Sequence, residues 1–357
     1  MSFDSVLGHE AQRAILARAL AQGRMPPALL LSGPEGIGKR TLALAVGRAL
    51  LCGRSDGCGS CSNCRQIDAA LASLPERRER ARGSRDDAAM NHRLHPDFIL
   101  VEPWTTTREG SGKAKPEIKV GQVRELVQEA FARPFQARAR YFVVDDAHVM
   151  NPSSANSLLK SLEEPLATTH FALVSSSPQA LLPTIRSRCQ VLRLESLASS
   201  LLEKHLVDTH GLSPDEARLR AALADGSVGR ALAFESSAYR RLRDDALSLL
   251  EQRGDALARL ERAEALADAD DQLPLLLVAL RSLLRDVAAL RAGIDSGRML
   301  NLDVVERLAP LARGPLGSSA AALADRVAES LLAIQGNAAK LLEMDVLADA
   351  PELRVQT

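Results

Sequence analysis

The chain has 357 residues, enough for two or three domains with a sizeable core. Its 45 Lys and Arg residues balance 45 Asp and Glu residues, and a net charge of zero argues against a protein that holds nucleic acid by bulk charge alone. Aromatic residues make up 3% of the chain, which argues against base-stacking platforms, and no apolar run approaches the roughly 20 residues that span a membrane. The amino-terminal sequence MSFDSVLGHEAQ is not a signal peptide, so we expect a cytoplasmic protein without membrane contact.

A glycine-rich loop follows the first predicted strand. The apolar run ALLL (28–31) leads into SGPEGIGKRTLA (32–43), and the residues after the loop have helical spacing. Strand, loop and helix are the context of the phosphate-binding pattern GxxxxGK[ST], whose glycines and lysine hold phosphates and whose last hydroxyl holds magnesium. Arg40 stands where that hydroxyl is required, and Thr41 follows it. The loop residues expected to contact a nucleotide are Gly33, Gly36, Gly38, Lys39 and Thr41.

Four of the five cysteines lie close together in the sequence, at Cys52, Cys58, Cys61 and Cys64. Two C-x-x-C steps share the middle cysteine, and short loops of Gly and Ser let thiolates converge tetrahedrally on zinc. We predict a structural zinc site with these four ligands; the alternative is a set of reduced surface thiols. His92 and His95 lie too far along the chain to be preferred ligands.

Further strands are predicted at FILV (98–101), YFVV (141–144), FALV (171–174) and VLRL (191–194). Their alternation with helical sequence predicts a mostly parallel sheet that is covered on both faces. Residues 75–94 are charged and poor in large apolar groups, which indicates a solvated and partly flexible insertion, and 105–116 is expected to form another loop.

Two acids end the strand YFVV. Asp145 and Asp146 are expected at the carboxyl edge of the sheet, where ligands bind in open α/β folds. In a P-loop ATPase the first acid supports magnesium and the second, usually Glu, orients the attacking water. Asp146 is one methylene shorter, and a shift of about an ångström there costs on the order of 100-fold in rate. A strand that simply ends in a polar turn is the alternative.

The segment NPSSANSLLKSLEEP (151–165) predicts a helix with Asn151 as its N-cap, Pro152 at its first position and a leucine stripe toward the core. After FALV come three serines, a type of residue that can bond a γ-phosphate or water just past a strand, and then Arg186 and Arg188. An exposed arginine here can reach a neighbour's site as a finger, and the alternative is a pair of surface arginines. We interpret Cys189 as a small buried apolar residue.

Beyond residue 195 the sequence is rich in Ala, Leu, Arg, Asp and Glu and is helical by period. The predicted fold class is an α/β P-loop domain with a parallel sheet and a small zinc module, followed by a small helical lid and an all-α carboxyl-terminal domain. We assign 1–195 to the nucleotide-type domain, 196–240 to the lid and 241–357 to a collar.

A family resemblance rests on several of these segments together. The chain resembles the bacterial clamp-loader subunits of DNA polymerase III, which are AAA+ proteins. The segments that carry the resemblance are Gly33–Lys39, the four cysteines, His95-Pro96-Asp97, IKVGQVREL (118–126), VVDDAH (143–148), NSLLKSLEEP (156–165) and IRSRC (185–189). The resemblance is strong over 1–195 and looser beyond. Within the family the chain is most similar to the delta-prime subunits, including GNAAKLLEMDVL (336–347) near its end.

The resemblance implies a stator in a hetero-pentameric ring that opens a sliding clamp and places it on primed DNA. It implies that Arg188 serves the ATP of an adjacent motor subunit in trans, and that Ser176 lies roughly where the motor subunits place a polar sensor after the strand. The lid arginine of the motor subunits falls here on Gly229, with Arg230 one position late, a rotation of roughly 100° on a helix.

Together with Arg40 and Asp146, this substitution predicts that the chain does not hydrolyse ATP by itself. Two alternatives remain for its loop: weak nucleotide binding through the glycines and Lys39, or Arg40 in the phosphate site. Two other functions also remain. One is an active motor ATPase of the gamma/tau kind in which Thr41 and Asp146 suffice, and the other is a zinc-bearing module outside replication.

Overall fold

The computed structural model describes residues 3, 6–54, 57–82, 84, 86–105, 116–251 and 272–335. The chain divides into two compact units, Met1–His205 with Asp225–Arg230 and Leu206–Ala224 with Ala231–Thr357. The expectations for 336–347 and for most of the loop at 105–116 lie outside the described residues.

The first unit alternates strands with helices, as expected. Its elements in chain order are α1 (Glu10–Ala21), β1 (Ala28–Ser32), α2 (Lys39–Leu51), α3 (Ser62–Ala72), α4 (Leu74–Arg82), β2 (Asn91–His95), β3 (Phe98–Val101), β4 (Trp104–Thr105), β5 (Pro116–Glu117), α5 (Val120–Ala130), β6 (Arg140–Val144), α6 (Pro152–Glu163), β7 (Thr169–Ser175), α7 (Pro183–Arg186), β8 (Gln190–Arg193) and the start of α8 (Ser199–His210).

One sheet of six strands, in the order β2-β3-β6-β7-β1-β8, organises this unit. All five predicted strands are present and pair in parallel, while β2 is antiparallel to β3. In β1 every residue is buried, with Leu29 and Leu31 in one apolar cluster and Leu30 in another. Alternating side chains point to opposite faces, so helices cover both faces of the sheet. The predicted α/β P-loop fold is confirmed.

Helix α6 forms as the sequence predicts. Asn151 Oδ1 accepts a hydrogen bond of 2.8 Å from Ser154 N, and Pro152 is the first helical residue, where its missing N–H costs nothing. Leu158 and Leu162 are buried, so the opposite face of the helix is polar and exposed.

The expectation of a solvated, partly flexible segment at 75–94 is wrong for its described residues. Within this segment helix α4 buries Ala81, and β2, the edge strand of the sheet, buries Leu94. The charged composition misled the interpretation because Arg78 of α4 forms an ion pair with the buried Glu102, so α4 is part of the folded unit.

The second unit is helical throughout its described residues, which confirms the all-α prediction there. Its elements are the rest of α8, α9 (Pro214–Leu223), the second half of α10 (Val228–Ala233), α11 (Ser236–Glu251), α12 (Leu273–Arg291), α13 (Val305–Arg313) and α14 (Pro315–Gln335). Tyr239 is fully buried, and its hydroxyl bonds to Ser282 Oγ at 2.7 Å and Asn301 Oδ1 at 2.9 Å, so this core contains a satisfied polar network.

No helix in the described ranges is long and apolar enough to cross a membrane.

Candidate functional site

The phosphate-binding loop joins β1 to α2 at the carboxyl edge of the sheet. Gly33, Gly36 and Gly38 all have positive φ, at 146°, 71° and 103°. A Cβ atom at Gly33 would lie 2.2 Å from the carbonyl oxygen of Leu194, so only glycine fits this turn. The glycine pattern therefore produces the loop geometry that the sequence predicts.

Lys39 is folded back onto its own loop. Its side chain is buried, and Nζ donates hydrogen bonds to the carbonyl oxygens of Gly33 at 2.8 Å and Pro34 at 2.5 Å. Burial lowers the pKa of the ammonium from its ordinary value, although the charges of Asp146 and Asp145 oppose this shift. Two of the three ammonium donors are thus used inside the protein.

Arg40 lies beside the first acid of strand β6. Its Nη1 is 3.1 Å from Asp145 Oδ2 and also contacts Glu102 Oε1. In P-loop ATPases the residue at this position and the strand acid hold the magnesium ion together. Here a guanidinium already neutralises that acid, so these residues do not fit a magnesium ion.

Glu102 lies beside Arg40 near the phosphate-binding loop and was not predicted from the sequence. It follows β3 directly, and its carboxylate accepts hydrogen bonds from Arg78 Nε at 2.8 Å and Nη2 at 2.5 Å. Burial alone would raise its pKa, but the nearby ring of His92, the hydrogen bonds from Arg78 and the charge of Arg40 hold that pKa well below its usual range. His92 Nε2 lies 3.0 Å from Glu102 Oε2.

A signal for Glu102 was present in the sequence. It follows FILV as Asp145 follows YFVV, and the two strands are parallel neighbours with Val101 paired to Val144. Polar residues that follow adjacent parallel strands meet at one edge of the sheet.

The two acids after β6 differ in environment. Burial raises the pKa of Asp145 to about 6, although the charge of Arg40 lowers it. Asp146 is only half-buried and takes a left-handed conformation, with φ of 46°. Ser176 Oγ lies 3.3 Å from His148 Nε2, so the serine after β7 contacts the segment that follows the acids.

The segment that carries Gly229 packs directly on the phosphate-binding loop. Gly229 N donates a 2.9 Å hydrogen bond to Gly36 O, and a Cβ atom at Gly36 would lie 2.3 Å from Ser227 Oγ. Arg230 Nη1 lies 3.5 Å from Asp225 Oδ2. The arginine one position late thus pairs with a neighbouring acid in its own segment.

Arg188 lies on the surface after α7. Its Nη2 is 2.7 Å from Glu163 Oε1 at the end of α6, and its Nη1 donates to Thr184 O at 2.9 Å. Cys189 is partly buried against the core, and burial raises the pKa of its thiol to about 11. This environment agrees with the interpretation of Cys189 as an apolar residue.

The four cysteine thiols form a cluster at the end of α2. Every pair of sulfur atoms among Cys52, Cys58, Cys61 and Cys64 lies within 4.8 Å. Tetrahedral zinc with Zn–S distances of about 2.3 Å requires sulfur atoms about 3.8 Å apart, so the cluster fits a metal ion. Arg48 supports the loop by donating to Gly57 O at 2.9 Å.

The structure therefore brings most of the predicted site residues into two places. The first place is the phosphate-binding loop itself, with its glycines and Lys39, where Asp145, Asp146 and the unpredicted Glu102 also lie. The four cysteines form the second site. No contact of Thr41 with these acids is found in the described part of the chain. Arg188 stands apart, bound to Glu163.

The curated proteins that are similar to the chain include three subunits of DNA polymerase III. The tau subunit of DNA polymerase III from Salmonella typhimurium is 28% identical over 344 residues, covering 92% of this chain and 47% of the relative. The delta' subunit from Pseudomonas aeruginosa is 34% identical over 192 residues, covering 53% and 50%. The delta' subunit from Escherichia coli is 29% identical over 342 residues, covering 93% of this chain and 91% of the relative. The chain spans about half the length of the first two relatives.

Among solved structures, a gamma subunit-related protein of DNA polymerase III from Thermotoga maritima is 16% identical, with 96% of this chain and 98% of that chain covered and a TM-score of 0.34.

The fold and the phosphate-binding loop define an α/β protein of the P-loop kind, with an arginine at the metal-ligand position. Residues 8–198 match the family model described as DNA polymerase III, delta subunit. The chain belongs to this family. The expected resemblance to clamp-loader subunits of the delta-prime kind is confirmed.

Proposed function

We propose that this chain is the delta-prime-type stator of a clamp loader, which lends Arg188 to the ATP of a neighbouring subunit and does not use its own pocket for hydrolysis. The observation that carries the proposal is the pairing of Arg40 with Asp145, which puts a fixed cation where an ATPase needs magnesium. The sequence similarity of the chain to the delta' relatives supports the same role.

The remaining features of the pocket support the same conclusion. Lys39 is tied to loop carbonyls, the second acid is the shorter Asp146, and Gly229 replaces the lid arginine of the motor subunits. The network of Arg40 with Glu102 and Asp145 then has a structural role, since it joins the start of α2 to the ends of β3 and β6.

The role proposed for Arg188 requires only charge and reach. A guanidinium at a neighbour's γ-phosphate stabilises the charge that develops in the transition state, and such fingers are worth about 10³ to 10⁵ in rate. Arg188 is at the surface, on a turn anchored by the buried Ile185, so a partner can approach it while its backbone stays fixed.

We assign the partners and the domains in the same terms. Residues 1–195 form the nucleotide-type domain, 196–240 the lid and 241–357 the collar that joins the chain to the other subunits of a hetero-pentameric ring. The assembled ring opens a sliding clamp and loads it on primed DNA, and the balanced charge of this chain suits a subunit whose main contacts are with protein.

We assign Zn²⁺ to the four cysteines. Four thiolates with no open position are typical of a structural site, so the ion would hold the loop at 52–64 rather than take part in chemistry.

The test is the ATP turnover of the reconstituted loader with clamp and primed DNA, with Arg188→Ala or Lys39→Ala in this subunit. A stator predicts that Arg188→Ala lowers turnover and Lys39→Ala leaves it unchanged. The similarity to tau over 92% of the chain favours a second candidate, an active motor ATPase. In that case Lys39→Ala would lower turnover as well. If neither substitution has an effect, both roles are wrong.

A further inference from the structure

We infer that Glu163 is a positioning residue for the finger: it holds the Arg188 guanidinium in the orientation that meets the neighbour's phosphate. The inference rests on the proposed function of Arg188. It assigns a role to one of the two glutamates that end α6, which the sequence alone leaves as exposed polar residues.

The first observation is the geometry of the ion pair. Arg188 Nη2 lies 2.7 Å from Glu163 Oε1, and Nη1 is held by Thr184 O at 2.9 Å and lies 3.4 Å from Ser187 Oγ. A free arginine side chain loses about 2 kcal/mol of rotamer entropy when it is immobilised. Contacts at both terminal nitrogens fix the plane of the guanidinium before a partner arrives.

The contacts leave the guanidinium able to bind an anion. Arginine carries five N–H donors in a fork, and one bond through Nη1 with one through Nη2 does not exhaust them. The Arg188 side chain is 35% exposed and that of Glu163 is 45% exposed, so the pair is formed at the surface and not buried. The finger is therefore oriented and still accessible.

Both partners stand on rigid supports. Glu163 is the last residue of α6 and follows Leu162, while Arg188 lies three residues after Ile185. Leu162 and Ile185 are both buried in the same apolar cluster, at 5% and 0% exposure. The separation of α6 and α7 is thus set by core packing, and the ion pair transmits that fixed geometry to the side chain of Arg188.

The adjacent residue Glu164 offers a matched control. It is exposed, carries the same charge and also lies at the end of α6, but no ion pair of Glu164 is found among the described residues. A change at Glu164 therefore alters the charge of this surface to the same extent and leaves the contact to Arg188 in place.

The experiment measures kcat and KM for ATP in the reconstituted loader with Glu163→Ala, Glu164→Ala or Glu163→Gln in this subunit. Orientation of a finger acts in the transition state, so we expect Glu163→Ala to lower kcat about two- to fivefold with KM unchanged, the range for exposed ion pairs. Glu164→Ala should match the unchanged protein. Glu163→Gln keeps an oxygen that accepts from Nη2, and it should restore part of kcat.

A double variant separates positioning from a general effect on structure. If Glu163 acts through Arg188, then Glu163→Ala adds no further loss to Arg188→Ala, whereas independent effects would multiply. The thermal midpoint of Glu163→Ala should stay within about a degree of that of Glu164→Ala, since surface substitutions change stability little.

The outcomes are distinct for the two proposals. No effect of Arg188→Ala removes the finger itself and with it the proposed function. A loss with Arg188→Ala but none with Glu163→Ala overturns only the positioning role. A rise in kcat with Glu163→Ala also overturns it, because Glu163 would then withhold the finger instead of presenting it.

Discussion

Arg40 Nη1 lies 3.1 Å from Asp145 Oδ2, so two residues that are 105 positions apart in sequence close the metal side of the phosphate-binding loop. The pairing explains how the fold accommodates the positive charge of an arginine at the position of the Ser or Thr ligand. Asp145 and Glu102 provide the negative charge, and the positive charge comes from the protein itself.

Replacing this cation should create a magnesium response. In Arg40→Thr the hydroxyl of the P-loop pattern is restored and Asp145 loses its cation. We expect magnesium chloride to raise the thermal midpoint of the variant and not of the unchanged protein, by the equivalent of about 1.4 kcal/mol at ten times Kd. The measurement is thermal unfolding against potassium chloride of equal ionic strength. Arg133→Thr, at an exposed arginine, is the control, and an equal response in all three proteins would contradict the prediction.

The pH dependence of stability should show the burial of Asp145. Its pKa is raised to about 6, so the folded chain holds the proton more tightly than the unfolded chain. The stability that this group contributes is full below about pH 4 and is lost as the pH rises through about 6. As the pH rises from 4 to 6, the unchanged protein should therefore lose stability relative to Asp145→Asn. Above about pH 6 the difference in free energy of unfolding between the two proteins should be constant.

The free energy of unfolding in urea, measured from pH 4 to 8, tests this expectation. Asp146→Asn is the matched control at the half-exposed neighbouring acid. A difference between the unchanged protein and Asp145→Asn that does not vary over this range would rule out a raised pKa.

Removal of Arg78 should destabilise the first unit. Arg78→Met leaves the buried Glu102 carboxylate without its two-point hydrogen-bonded partner. We expect a loss of about 2 kcal/mol, below the 3–5 kcal/mol for a buried charge left alone, because Arg40 still contacts Glu102. Arg80→Met on the same helix removes only the exposed pair with Glu76 and should cost about 0–1 kcal/mol. Equal losses in urea unfolding for both variants would show that Arg78 makes only a surface contact.

Metal content should depend on the cysteine cluster. We expect the purified chain to hold one zinc ion, and Cys58→Ser to lose it together with several degrees of thermal midpoint, because metal binding adds to folding free energy. Elemental analysis by mass spectrometry gives the stoichiometry. Cys189→Ala, outside the cluster, should keep the zinc. Zinc retained by Cys58→Ser would mean that Cys58 is not a ligand.

Local pattern was sufficient for much of the fold. The apolar runs predicted five strands, and Asn151 with Pro152 predicted the start of α6, because capping and periodicity act within a few residues. Composition failed at 75–94, where the charged helix α4 is anchored by one arginine whose partner lies beyond the next two strands. A pairing of that kind leaves no periodic signal in the segment itself.

By itself, the sequence determined the glycine loop, the cysteine spacing and the family, because each depends on residues close together in the chain or on a fixed order of motifs. Only the tertiary structure decided what replaces the magnesium ligand and which acid holds the surface arginine. The Arg40–Glu102–Asp145 cluster and the Glu163–Arg188 pair each join separate elements, whose approach is set by strand register and by core packing.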